Sequence, residues 1–179
     1  MRYYLPTLAL LSLLTSCATP YDPADLDPMD WSLGGKLSIL EGGRSRVVTI
    51  DWQQSGDSSD IRLKGPLGIG DVHIRTIGNE LMIDTGNSSQ VYPLDQDLVI
   101  KGDSFRVPWK RLAYWVQGLQ GPGMTPIEGL FLQDGWSVSI LDTDNSGPVL
   151  IVLSHPEVRL RLKVYHWQRG TVKGPAKQI

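Results

Sequence analysis

A mainly β domain, an antiparallel sheet wound as a meander or a barrel, is what this sequence predicts, and three observations predict it. Apolar and polar residues alternate with a period of two through most of the chain after Leu33. Turn-forming clusters punctuate the alternation at Ser55-Gly56-Asp57, Gly86-Asn87, Asn145-Ser146-Gly147 and His155-Pro156. Strand-like runs follow one another without the intervening helices that an α/β fold requires.

The elements follow in order. In 44–54, Val48, Ile50 and Trp52 share one face while Val47, Thr49 and Asp51 share the other. Ile61 with Leu63, Val72 with Ile74, and Leu81 with Ile83 repeat the pattern between charged neighbours. Trp136, Val138 and Ile140 alternate with serines, and Val149, Ile151 and Leu153 follow. The clearest case is 158–164, where Val158, Leu160, Leu162 and Val164 oppose Arg159, Arg161 and Lys163. Such alternation marks antiparallel strands with one wet face, eight to eleven of them here. One region breaks the period: Trp109, Leu112, Ala113 and Val116 recur at helical spacing, with Pro108 suited to a first turn and Gly118 to a carboxyl end. A weaker helical turn is expected over Leu94–Ile100, although Val99 and Ile100 also suit a strand. A helix inserted in a meander must cover apolar surface, either completing the core or lying over the open face of the sheet.

Composition bounds the function. The chain has 179 residues, 41% hydrophobic and 20% charged, with a net charge of −2. That is enough for one domain with a substantial core, and it gives no electrostatic reason to expect nucleic acid as a partner. No segment approaches the roughly 20 apolar residues of a spanning helix. Cys17 is the only cysteine, so no disulfide can form within the chain.

The amino terminus reads as a secretory signal: Arg2, an apolar stretch from Leu5 to Leu14, then small residues. Leu14-Thr15-Ser16-Cys17 resembles the bacterial lipobox. The resemblance implies a signal peptide over 1–16, cleavage before Cys17 and lipidation of Cys17. Ala18, where lipoproteins retained in the inner membrane usually carry aspartate, points to the outer membrane. Residues 17–32 are expected to be a lipidated tether, 33–170 a single domain, and 171–179 a tail.

Catalytic chemistry is not in view. His73, His155 and His166 fall on a strand, in a proline turn and near the end of the last strand, with no metal spacing and no nucleophile elbow. No enzyme activity, metal or cofactor is expected. Gly65-Pro66-Leu67-Gly68-Ile69-Gly70 lacks the Lys-Ser/Thr and helix of a phosphate loop. It places Leu67 and Ile69 at a loop tip, where they either contact a membrane or partner or fold back on the sheet. The Arg159, Arg161, Lys163 row is either a solvated strand face or a contact for an acidic partner.

Taken in order, Gly35-Lys36-Leu37, Trp52-Gln53-Gln54, Arg62-Leu63, Pro66-Leu67-Gly68, Pro108-Trp109, Trp115-Val116-Gln117-Gly118-Leu119 and Asp134-Gly135-Trp136-Ser137-Val138 resemble the LolB family of outer-membrane lipoprotein receptors, over roughly 33–168. The resemblance implies an incomplete, half-open antiparallel β-barrel with a short helical lid over an apolar cavity. It also implies a monomer that faces the periplasm, accepts acylated lipoproteins from the carrier LolA and inserts them among outer-membrane phospholipids. Leu67 then matches an apolar residue that the family uses for membrane delivery, with Ile69 beside it. The expected cavity lining is Val48, Ile50, Trp52, Leu63, Leu112 and Trp136, and the expected carrier contacts are Arg159, Arg161 and Lys163. The alternatives are another lipid- or glycolipid-binding lipoprotein, or an assembly lipoprotein with a filled core and no ligand.

Overall fold

A computed structural model describes residues 30–66, 70–94, 98–100 and 105–170, with the backbone alone at 98–100, 105 and 106. Six strands form a first meander: β1 (Trp31–Glu41), β2 (Arg44–Ser55), β3 (Ser58–Lys64), β4 (Val72–Ile77), β5 (Glu80–Asp84) and β6 (Ser89–Pro93). After a short pair, β7 (Leu98–Ile100) with β8 (Phe105–Val107), comes the helix α1 (Trp109–Trp115). A second meander follows in β9 (Gly129–Gln133), β10 (Trp136–Asp144), β11 (Gly147–His155) and β12 (Val158–Arg169).

The two meanders become one sheet because β12 pairs antiparallel with β1, giving ten strands in the order β6-β5-β4-β3-β2-β1-β12-β11-β10-β9. The sheet does not close: β6 and β9 remain its edges, so the molecule is a half-open barrel. Tight turns suit the strand twist. Gly42 and Gly43 (φ 54° and 74°) join β1 to β2, and Asp134 and Gly135 (φ 53° and 78°) join β9 to β10.

The period-two pattern holds on both walls. Ile50 and Trp52 of β2, Ile61 of β3 and Val158, Leu162 and Val164 of β12 are buried while their sequence neighbours face out. The phase of β12 changes once. Val164 pairs with Gly35 but His166 with Gly34, so Tyr165 is an extra, exposed residue and Trp167 becomes the next inward side chain. The two glycines make room for this bulge. A Cβ on Gly35 would lie 2.2 Å from the Lys163 carbonyl oxygen, and one on Gly34 2.1 Å from the His166 ring.

Four expectations need correction. β1 opens at Trp31, two residues inside the segment expected to be tether, because Trp31 pairs with Gln54 and Arg169 and its indole is fully buried. Residues 98–100 form a strand rather than a helical turn, as their β-branched Val99 and Ile100 allow. Register shifts between Ile140 and Thr143 leave Pro148, not Val149, buried on β11. His73, expected from its outward strand position beside Asp71 and Arg75 to be solvated, is half-buried, its Nε2 2.8 Å from Asp60 Oδ1.

The bulge yields a test. Gly35→Ala drives a methyl into backbone and lowers stability by about 1–3 kcal/mol. Gly34→Ala meets only the rotatable His166 ring and costs less. Thermal melts of the two variants should separate, and equal shifts would contradict this account of the bulge.

Candidate functional site

The concave wall begins with a tryptophan cluster. Trp31 sits with its ring centroid 5.0 Å from Trp52, tilted, and 5.4 Å from Trp167, edge-to-face, which suits aromatic quadrupoles. A polar plug closes this end of β2 and β3. Gln54, 2% exposed, accepts at Oε1 from Trp52 Nε1 (3.1 Å) and from the Ser59 hydroxyl (2.6 Å) and donates to the Gly56 carbonyl (2.7 Å). The Trp167 indole donates to the Pro148 carbonyl at 2.8 Å.

Burial falls along the same strands away from that plug: Leu37, Ile39, Val48 and Leu63 are only partly buried. Between these two zones lies a pocket of about 130 Å³, lined by Leu37, Ile50, Trp52, Ile61, Leu63 and Ile74 on one side and by Ile151, Leu153, Leu160 and Leu162 on the other. Trp109, Leu112 and Val116 of α1 and the residue after it form the roof. Every lining residue is apolar. Leu37, Leu63 and Leu160, partly buried members of the lining, lie toward the end of the sheet where β3 ends at Lys64.

The helix is held over the pocket by its carboxyl end. Gly118 (φ 75°) donates to the Trp115 carbonyl and Leu119 to the Tyr114 carbonyl, both at 3.0 Å, the two bonds of a Schellman closure. The Gly118 carbonyl accepts from Ile127 N at 2.8 Å, and Trp115 Nε1 donates to Gln133 Oε1 at 2.7 Å. Arg111 lies 3.4 Å from Asp134, an exposed pair of little energetic weight. Pro108 stands at the N-cap position and offers no side-chain cap, and among the described residues the helix start is held by the Arg111 N–H to Pro108 carbonyl bond at 2.8 Å and by buried Trp109.

Of the six residues expected to line a cavity, Ile50, Trp52, Leu63 and Leu112 meet around the pocket. Val48 shares their face but lies farther along β2 toward the rim, half-exposed and outside the lining. Trp136 is buried elsewhere, 6.2 Å from Trp115 and 5.3 Å from His155 between ring centroids, in the packing that supports the helix. Pocket residues outside the six expected for the lining include Leu37, Val116 and Ile151, each apolar at an inward position. Arg159, Arg161 and Lys163 are exposed on the outer wall, across the sheet from the pocket. Cys17, Leu67 and Ile69 lie outside the described residues. Among the described residues no three His, Cys, Asp or Glu side chains are placed to share a metal ion, and no helix is long and apolar enough to cross a membrane.

An open half-barrel whose concave face holds a wholly apolar pocket under one helix is of the class suited to sheltering apolar groups. The family described as "Outer membrane lipoprotein LolB" matches residues 29–167. The outer-membrane lipoprotein LolB of Nitrosococcus oceani is 30% identical over 155 residues, covering 79% of this chain and 77% of its own. That of Azoarcus sp. strain BH72 is 28% identical, covering 93% and 96%, and that of Cellvibrio japonicus is 30% identical, covering 91% and 97%. The chain belongs to the LolB family: it is a lipid-anchored lipoprotein of the outer membrane, facing the periplasm, with a role in lipoprotein localisation.

The pocket can be tested directly. Leu112→Ala removes part of its roof and should lower unfolding stability by about 2 kcal/mol while increasing uptake of a benzene-sized probe, seen as shifts of the lining methyl groups by NMR. A loss of stability with no added probe binding would mean that the space collapses and holds no ligand.

Proposed function

We propose that this chain is the outer-membrane acceptor of lipoprotein sorting. It takes acylated lipoproteins from the periplasmic carrier LolA into the apolar pocket and releases them into the outer membrane, with Cys17 as its own lipid anchor. The observation that carries this reading is a lining without a single polar residue, less deeply buried toward the end of the sheet where β3 ends. Membership of the LolB family supports the same assignment.

The energetics set the mechanism. One acyl chain of about sixteen carbons represents on the order of 10 kcal/mol of apolar burial, so free release into water is forbidden on any useful timescale. Cargo must pass from cavity to cavity and then to lipid. A pocket of about 130 Å³ is close to the cavity of roughly 150 Å³ that holds one benzene, so it accommodates only part of such a chain. Acceptance therefore requires the roof to lift. The bonds described above fasten the carboxyl end of α1, and among the described residues the ion pair nearer its start is the exposed Arg111–Asp134 contact. The helix hinges near Gly118 and opens from Pro108. The resting pocket then collapses when cargo departs, which drives transfer toward the bilayer.

Leu67, with Ile69, provides the step into lipid. Both follow β3 closely in sequence, and β3 carries Leu63 of the pocket lining, so entry of these two apolar residues into the bilayer would bring the pocket to the lipid.

The decisive experiment mixes the chain with loaded carrier and follows acylated cargo. Leu112→Asp, which aims a carboxylate at the pocket, should reduce acceptance at least tenfold while preserving the β-sheet signal in circular dichroism. Leu67→Glu should leave acceptance intact and abolish delivery to vesicles. Cys17→Ala should still accept cargo in solution. If wild-type chain takes no cargo, the filled-core assembly alternative replaces this proposal.

A further inference from the structure

The outer wall toward the end of the sheet where β3 ends carries an unusual distribution of charge. Lys64, the last residue of β3, is opposite Thr49; Thr49 is opposite Lys36; and Lys36 is directly opposite Lys163 across the β1/β12 seam. Farther toward that end, Arg161 stands opposite Ser38 and Arg159 opposite Leu40. All five cations are exposed, and none forms an ion pair among the described residues. Lys163 has only the Tyr165 ring, 6.0 Å from its Nζ to the centroid. Acids border the patch. Glu41 follows Leu40 and pairs with Arg46 at 3.5 Å, and exposed Glu157 lies two residues before Arg159. Asp142 is opposite Leu150, beyond Lys163, and Asp51 is two residues from Thr49 on β2.

Like charges placed directly opposite each other destabilise a sheet. This chain has 19 acidic residues against 17 basic ones, so the facing of Lys36 and Lys163 is not forced by composition. Exposed aliphatics sit among the cations: Leu40 and Val47 are 41% and 46% exposed.

We infer that this outer wall is a docking face for an anionic phospholipid surface, which holds that end of the half-barrel against the bilayer. This rests on the proposal that cargo leaves through that end. Charge complementarity and continuity with the 65–71 connection favour lipid over an acidic protein. A carrier passing acyl chains must meet the pocket opening, whereas these side chains lie across the sheet from it. A headgroup layer can touch both the rim and the adjoining outer wall. The interspersed aliphatics suit the boundary between headgroups and acyl chains.

The test uses the chain carrying Cys17→Ala, so that its own acyl groups do not mask the effect, and measures co-sedimentation with phosphatidylethanolamine vesicles with and without phosphatidylglycerol. Phosphatidylglycerol should increase binding, and added salt should reverse the increase. Lys36→Gln, Arg161→Gln and Lys163→Gln together should weaken binding to the anionic vesicles roughly 100-fold, at about fivefold per cation. The same variant should accept cargo from loaded carrier, without vesicles, at the wild-type rate. Lys36→Gln alone should raise the melting temperature while weakening lipid binding, because it relieves the Lys36–Lys163 repulsion. Wild-type binding indifferent to phosphatidylglycerol would overturn the inference, and so would a triple variant that binds vesicles normally. Slower cargo acceptance in the triple variant would overturn it too, assigning the face to the carrier. Failure of cargo acceptance in the wild type would instead refute the parent proposal.

Discussion

Everything in this fold depends on the pairing of the first described strand with the last. Without β1 against β12 the chain is two separate meanders, each with one apolar face and nothing to place opposite it. With the pairing, eleven residues of β1 lock to β12, and the walls curve toward each other. This contact spans nearly the whole described sequence, so its loop-closure entropy is met only late in folding. Gly34 and Gly35 are the local condition for it. They let the Tyr165 bulge nest, and that bulge turns Trp167 inward to join Trp31 and Trp52.

The same seam separates the two features on which the proposed acceptor role and docking face rest. Inward, it contributes Leu37, Leu160 and Leu162 to a pocket with no polar lining. Outward, it displays cations that the sheet would be more stable without. Both are departures from the best-packed arrangement: an ideal core would fill the pocket, and an ideal surface would pair Lys36 with an acid. Strain of this kind, placed at adjoining positions on opposite faces of the same strands, is what a protein that must hold a ligand and meet a surface is expected to carry.

Much of this was legible in the residues. The period of two located the strands because each wall has one wet face, and Pro108 and Gly118 bounded the helix because their backbone preferences are local. Four of the six expected lining residues reach the pocket for the same reason. The misses have a common cause in geometry that no single segment encodes. Val48 shares a face with Ile50 but lies too far along the strand toward the rim. Trp136 points inward, but the curvature of β10 sends it under the helix end. Val149 loses its place to Pro148 through register shifts, and Trp31 looked like tether because its partners are more than twenty and more than a hundred residues away.

The start of β1 has one further consequence, for the distance at which the domain works. Trp31 lies at the plugged end, so the anchor proposed at Cys17 is attached to the end opposite the one where β3 ends. β1 itself, with eleven residues, spans about 37 Å. The thirteen residues between Cys17 and Trp31, fully extended, reach about 45 Å. With the anchor proposed at Cys17, that reach is an upper bound of little more than one β1 length on how far the plugged end can stand from the bilayer, and removing residues from the segment would lower the bound.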